Sequence, residues 1–251
     1  MIIKNKPYVL ITGISGGIGN ALVNSYHEAG YKIIGTDLKA PKNLKLVDHF
    51  FQIDLESLIN DDAKAKIFYK SVKNIIKNNG LHALINNAAV QVIKKVNDIT
   101  INDMKHSLNV NCIVPFFLIK CFSKELTKIK GSVVNISSIH SELTKPNFLA
   151  YATSKSALTG LTKSLAVEIG SKIRVNAIAP AAIKTEMLMA GFENSKNKLK
   201  KLSNYHPVLR IGKPSEISEL SLFLTSEKAG FINGSIFQID GGISKCLHDP
   251  I

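Results

Sequence analysis

Tyr151 and Lys155 stand four residues apart in Tyr151-Ala152-Thr153-Ser154-Lys155, inside a stretch that reads as helix over about 149–170. Side chains at that spacing share one helix face, so a phenol and an ammonium converge there. A free tyrosine titrates at about 10, too high for a base at neutral pH, and a neighbouring cation favours the phenolate. The pair is a proton-transfer device in outline. On its own it equally describes an amphipathic tyrosine beside a solvated lysine, so its meaning depends on what the chain places beside it.

A second chemistry-bearing stretch is Thr12-Gly13-Ile14-Ser15-Gly16-Gly17-Ile18-Gly19, between the apolar run Tyr8-Val9-Leu10-Ile11 and a helical pattern over 21–30. Strand, glycine turn and helix in that order present backbone N–H groups and a positive helix end to an anion. In a first βα turn this arrangement suits a dinucleotide. Residues 31–36 read as a second buried strand, with Asp37 directly after it. A carboxylate there accepts the ribose hydroxyls of an adenosine and repels a 2′-phosphate, which favours NAD over NADP. Lys39, two residues on, is the group able to receive such a phosphate.

The remaining elements position these residues. A third strand over 49–53 ends at Asp54-Leu55, and a long helix follows over about 60–78. A fourth, over 81–85, delivers Asn86-Asn87-Ala88-Ala89 to its carboxyl end, either as turn chemistry tying strands together or as a close approach to a flat ligand. Residues 101–128 hold one or two helices, with Asn111 in an apolar stripe where its side chain disfavours helix. A fifth strand over 131–137 runs into Ser137-Ser138, and adjacent serines on a strand point to opposite faces, so only one can join Tyr151. The sixth, over 173–179, leads into Pro180-Ala181-Ala182-Ile183-Lys184-Thr185. Residues 186–210 have weak periodicity and read as a lid. A helix over 214–226 and a last strand over 235–240 complete the pattern. Such alternation implies an α/β fold, a parallel sheet with helices on both faces, as a single domain over 1–251.

Composition narrows the function. With 45% hydrophobic and 20% charged residues among 251, the chain has ordinary globular usage. The net charge of +13 raises nucleic acid as a partner, but only Arg174 and Arg210 are arginine, the lysines are scattered, and aromatics are few. No nucleic-acid partner is therefore expected. No window approaches a membrane span, and the start lacks a signal peptide's apolar core. Cys112, Cys121 and Cys246 form no disulfide framework or C-x-x-C. A cytoplasmic protein is expected. The seven histidines lack metal-ligand spacing, so no metal is expected.

Taken in order, Thr12-Gly13-x3-Gly17-x-Gly19, Asp37, Asp54, Asn86-Asn87-Ala88, Asn111, Ser138, Tyr151-x3-Lys155 and the proline-led turn to Thr185 resemble the short-chain dehydrogenase/reductase family, in its compact branch, over nearly the whole chain. The resemblance implies a Rossmann-type doubly wound sheet. It places Gly13, Ser15, Gly17, Ile18 and Gly19 at the pyrophosphate, Asp37 on the adenosine ribose, and Asp54 and Leu55 at the adenine. Asn87 and Ala88 fall near the nicotinamide-side ribose, with Pro180, Ile183 and Thr185 at the carboxamide. It makes Tyr151 the general acid/base and Ser138 the partner of the carbonyl oxygen. Lys155 lowers the Tyr151 pKa while holding the ribose, and Asn111 anchors a water relay. The implied reaction passes a hydride between NAD(H) and a secondary alcohol or ketone. Alternatives are an NADP-dependent carbonyl or 3-oxoacyl thioester reductase, and a dinucleotide-binding regulatory protein. His140, Ser141, Met187 and His206 are substrate-wall candidates, with Phe192 in the same lid. The resemblance also implies a homotetramer, in which the tail carrying His248 and Asp249 covers a neighbour. Two positions depart from the family's usual glycine, Ala89 and Ala181, and both are expected to accept alanine.

Overall fold

The computed structural model describes residues 6–191 and 195–247, with Met187, Ala190, Gly191 and Lys196 described by backbone alone. Seven strands form one parallel sheet: β1 (Tyr8–Thr12), β2 (Lys32–Asp37), β3 (His49–Gln52), β4 (Ala83–Asn86), β5 (Ser132–Ile136), β6 (Arg174–Pro180) and β7 (Ile236–Ile239). Their spatial order is β3-β2-β1-β4-β5-β6-β7. The order reverses between β1 and β4, and ligands of open α/β sheets bind at the carboxyl ends beside such a reversal.

The central strands are apolar throughout because both faces are covered. Alternate residues serve opposite cores. Leu10, Leu84, Val133 and Val175 pack with Phe68, Val72 and Ile76 of α3 (Asp62–Ile76) and with Val114 and Leu118 of α5 (Val114–Cys121). Val9, Ile11, Ile85 and Val134 pack instead with Leu22, Val23 and Tyr26 of α1 (Gly17–Glu28) and Ile217 and Leu224 of α10 (Pro214–Thr225). The sheet is thus clamped between two helix layers, and its carboxyl edge is held rigidly.

Three boundaries differ from the sequence pattern. Helix α1 begins at Gly17, so the last motif glycines form its first turn rather than preceding it. The helix expected over 60–78 is α3, and a short helix absent from the sequence pattern, α2 (Glu56–Asn60), precedes it, separated by Asp61, which adopts φ −142 and caps α3 by accepting from the N–H groups of Ala63 and Lys64. The 101–128 region comprises α4 (Ile101–Leu108), a π-helical segment (Asn109–Ile113), α5 and α6 (Ser123–Thr127). The lid region holds α8 (Glu186–Gly191) and α9 (Lys196–Asn204). Phe192, His248 and Asp249 lie outside the described residues. Among the described residues no helix is long and apolar enough to cross a membrane.

Candidate active site

The glycine turn is built by tertiary contact. Gly13 adopts φ +69, and a Cβ on it would lie 2.7 Å from Ala88 Cα. On Gly19 a Cβ would lie 2.0 Å from the Gly13 carbonyl oxygen, and on Gly17 it would lie 2.9 Å from Thr185 Cγ2. The glycines thus let α1, the end of β4 and the turn after β6 meet. Helix α1 has no side-chain cap and no acidic residue in its first turn, so its leading N–H groups and positive end are unclaimed by side chains. That fits a phosphate group.

Asp37 ends β2 beside this turn. One carboxylate oxygen accepts the Ser15 N–H at 2.8 Å and the other the Leu38 N–H at 2.7 Å. Asp54 receives the Glu56 N–H at 3.0 Å, while Leu55 is buried in the core. Asn87 donates to the carbonyls of Thr12 and Gly13 at 2.9 and 2.8 Å, and Thr12 Oγ1 accepts the N–H groups of Asn87 and Ala88. These contacts make Asn87 and Ala88 struts of the glycine turn. Asn86 performs the strand-tying role, donating to Asn135 Oδ1, whose own amide reaches Thr162 of α7 (Leu149–Ile169).

Strand β5 ends in the two serines and separates them. Ser137 Oγ contacts the Lys155 carbonyl and Thr159 Oγ1 within α7. Ser138 instead sits by the Tyr151 phenol and favours its ionised form, and its Oγ accepts the His140 N–H at 3.2 Å. Lys155, 2% exposed, donates to the Ile136 carbonyl at 2.7 Å, its Nζ standing 5.7 Å from the Tyr151 ring centre. Burial raises the Tyr151 phenol above its ordinary value, partly offset by the Ser138 hydroxyl. Burial also pulls Lys155 down to about 7. A phenolate and an ammonium here would favour one another, since each supplies the charge that burial denies the other.

Asn111 reaches the site through the π-helical segment. Its Oδ1 accepts the Val90 N–H at 2.9 Å, and its Nδ2 donates to the Val90 carbonyl and to Ser154 Oγ, each at 2.9 Å. The Val114 N–H closes on Asn109, and Pro115, four residues after Asn111, has no N–H to offer the Asn111 carbonyl. Irregular helix of this kind recurs at functional sites. Sequence reasoning placed Thr12 in the glycine motif but assigned no role to Ser154 or Pro115; the last was legible as a proline four residues after a helical asparagine.

The substrate-wall candidates separate. His140 stacks on Phe148 beside Tyr151. The Ser141 hydroxyl donates to the Ser138 carbonyl at 2.8 Å, which makes it a brace of the turn. His206 is 2% exposed, donates through Nδ1 to the Leu202 carbonyl at 2.8 Å, and lines a cavity of about 90 Å³ with Ala181, Arg210 and Asp240. Neither Ser138 nor Tyr151 lines that cavity. The side chain of Met187 lies outside the described residues. Ala89 and Ala181 have no positive φ, so the backbone accepts alanine at both. Among the described residues no cluster of His, Cys, Asp and Glu could hold a metal.

Comparison with known proteins gives this geometry its family. A family model described as enoyl-(acyl carrier protein) reductase matches residues 13–244. An uncharacterized oxidoreductase of Thermotoga maritima is 35% identical over 93% of this chain and 96% of its own. Among solved structures, aldohexose dehydrogenase of Thermoplasma acidophilum superposes with a TM-score of 0.89 at 28% identity, covering 98% of this chain and 97% of that one. A 4-hydroxyisoleucine dehydrogenase mutant complexed with NADH and succinate gives 0.85 at 32%, covering 95% and 99%. ElxO with NADP bound gives 0.84 at 28%, covering 96% and 100%. The glycine turn under an unclaimed helix end and the serine against a buried phenol thus occur in a chain that matches this family over most of its length, and the protein is a short-chain dehydrogenase/reductase, an NAD(P)-dependent oxidoreductase acting on CH–OH groups.

Proposed function

We propose that the protein interconverts a secondary alcohol and a ketone of small to medium size, using NAD(H), with Tyr151 as general acid/base. The observation that carries this reading is the Ser138 hydroxyl against the buried Tyr151 phenol, with Lys155 on the same helix face. Ser138 Oγ accepts the His140 N–H, which turns its single proton toward the Tyr151 side, where an incoming substrate oxygen would compete with the phenol for it. Tyr151 then exchanges the proton on that oxygen, as acid toward a ketone and as base toward an alcohol. The bound dinucleotide supplies or accepts the hydride. Gly13, Gly17, Gly19 and the N-terminus of α1 would hold its phosphates, Asp37 its adenosine ribose, and Lys155 the ribose near the reacting centre. A proton leaving Tyr151 favours retention of the Lys155 proton, so the two act together. The Asn111 side chain is committed to Val90 and Ser154, which leaves its main-chain carbonyl, facing Pro115, to anchor a water relay toward Lys155.

Asp37 supports NAD, since a carboxylate repels a 2′-phosphate. The one sheet carries both cofactor and catalytic residues, and 186–210 serves as the lid of that single domain. Leu149 and Val167 on α7, with Ile113 and Phe116 by α5, are exposed apolar residues, which supports a homotetramer packed through these helices. Three cysteines without a disulfide among the described residues suit the cytoplasm. The experiment is a screen of secondary alcohols and ketones with NAD(H) and NADP(H), followed by nicotinamide absorbance. Turnover by wild type, and turnover lower by about 10²–10⁴-fold in Tyr151→Phe, is expected. Equal rates in the two would overturn the mechanism, and tighter binding of NADP than NAD would overturn the cofactor assignment.

A further inference from the structure

The proton transfer leaves one ring beside Tyr151 without a role. His140 belongs to the turn Ile139–Ser141 that follows Ser138. Its imidazole stacks on Phe148 with ring centres 4.5 Å apart and planes 7° from parallel. Both rings meet Tyr151 edge-on, His140 at 5.7 Å and 75°, Phe148 at 6.2 Å and 78°. Lys145 Nζ stands 4.5 Å from the Phe148 ring centre, and His140 Nδ1 lies 3.2 Å from Thr144 Oγ1. The imidazole is therefore held by a ring on its face and a hydroxyl at its edge. It also borders a surface groove of about 550 Å³ lined by Ser141, Glu142, Lys145, Asn147 and Thr153, which Tyr151 does not line. His140 stands between that groove and the phenol.

We propose that His140 is a positioning residue for Tyr151, its clamped ring fixing the orientation of the phenol and keeping the groove's water off its flank. The inference rests on Tyr151 being the acid/base. A charged imidazole would be a poor plate of this kind. Burial, and then the Lys145 ammonium, hold His140 down to about 4, so it is neutral at physiological pH. Burial is also the largest cause raising the Tyr151 phenol, and uncovering one flank must lower it. Polar groups near Tyr151 include the Ser138 hydroxyl and Lys155, the Ser154 hydroxyl on the Tyr151 carbonyl, and Lys145 beyond Phe148. A substitution at residue 140 leaves all four side chains in the protein.

The test titrates tyrosinate absorbance of the full-length protein in alkali and isolates the Tyr151 share by subtracting the Tyr151→Phe variant. In His140→Ala the Tyr151 ionisation moves down by about one pH unit. In His140→Phe, which keeps a flat ring without nitrogens, it returns to the wild-type position. Identical titrations of wild type and His140→Ala overturn the proposal. A His140→Phe variant shifted while His140→Gln matches wild type also overturns it, because that assigns the effect to a hydrogen-bonding nitrogen. Thermal melts establish that each variant folds, and if His140→Ala does not, the comparison of phenylalanine with glutamine decides. This readout needs no substrate: absence of alcohol turnover in wild type would refute the proposed function and leave the titration to speak for the positioning role alone.

Discussion

Asn111 Nδ2 donates to Ser154 Oγ at 2.9 Å, and that hydroxyl donates to the Tyr151 carbonyl at 2.7 Å. A side chain in irregular helix is thereby coupled to the backbone of the proposed acid/base. The same amide group holds Val90 after β4, so one asparagine joins three segments at the sheet's carboxyl edge.

Replacing Asn111 by leucine removes that junction and leaves the Val90 N–H and carbonyl and the Ser154 hydroxyl short of partners. Unpaired buried groups cost about 1–3 kcal/mol each. A loss of about 3 kcal/mol in urea unfolding is expected, with a fall in turnover. Ser154→Ala should cost only about 1 kcal/mol. Equal stability of the asparagine variant and wild type would show that the junction carries no weight.

Tyr151→Phe keeps the ring and its contacts while removing the proposed proton carrier. Loss of general acid/base catalysis lowers turnover by about 10²–10⁴-fold, and NADH binding followed by fluorescence should change little. Ser138→Ala is expected to lower turnover in the same direction, since it removes both the proposed donor to substrate and the acceptor of the His140 N–H.

Asp37→Ala removes the carboxylate that receives the Ser15 N–H and would face the ribose. Weaker NAD binding and a narrower gap between NAD and NADP are expected, each by about tenfold, the equivalent of one charged hydrogen bond of about 1.5 kcal/mol. Titrating both dinucleotides against wild type and variant checks it. An unchanged ratio would remove Asp37 from cofactor choice.

Lys155 gives stability a pH dependence of defined sign. Its folded value is about 7 against an ordinary 10.5, so between these limits the unfolded chain holds a proton that the folded chain lacks. Stability from this group therefore rises with pH across that window, and the penalty is full below about 7. Lys155→Met should raise the melting temperature most at or below neutral pH, and the gain should shrink as pH climbs toward 10.5. A gain independent of pH would mean the lysine is charged when folded.

Gly13→Ala and Gly30→Ala separate strain from collision. Both glycines have positive φ, +69 and +82, but only Gly13 would place a Cβ against Ala88, while Gly30 has nothing within 4 Å. A cost of about 1 kcal/mol is expected at Gly30, and more than about 2 kcal/mol at Gly13, with loss of dinucleotide binding. Urea midpoints and NADH titration measure both.

The sequence by itself determined the elements and their order. Central strands buried on both faces read as short apolar runs, and local pattern placed Asp37, Ser138 and the proline-led turn at strand ends. The Tyr151–Lys155 face followed from helix geometry alone, because four residues of α-helix fix it. Local pattern found the 60–78 helix but missed the short α2 before it, which Asp61 separates through its own backbone conformation, and it missed the π-helical segment around Asn111.

What tertiary structure decided are relations between residues far apart in the chain. Ser137 and Ser138 were equivalent by composition until α7 packed against β5 and took the first into a contact with Thr159. Asn87 became a strut rather than a free amide because Thr12 and Gly13 lie beside it. His140 and His206 read alike as substrate-wall candidates, yet one stacks against the phenol's neighbour and the other lines a separate cavity. The reason is physical: periodicity encodes which face a side chain takes on its own element, whereas its partners are set only when elements separated by tens of residues pack together.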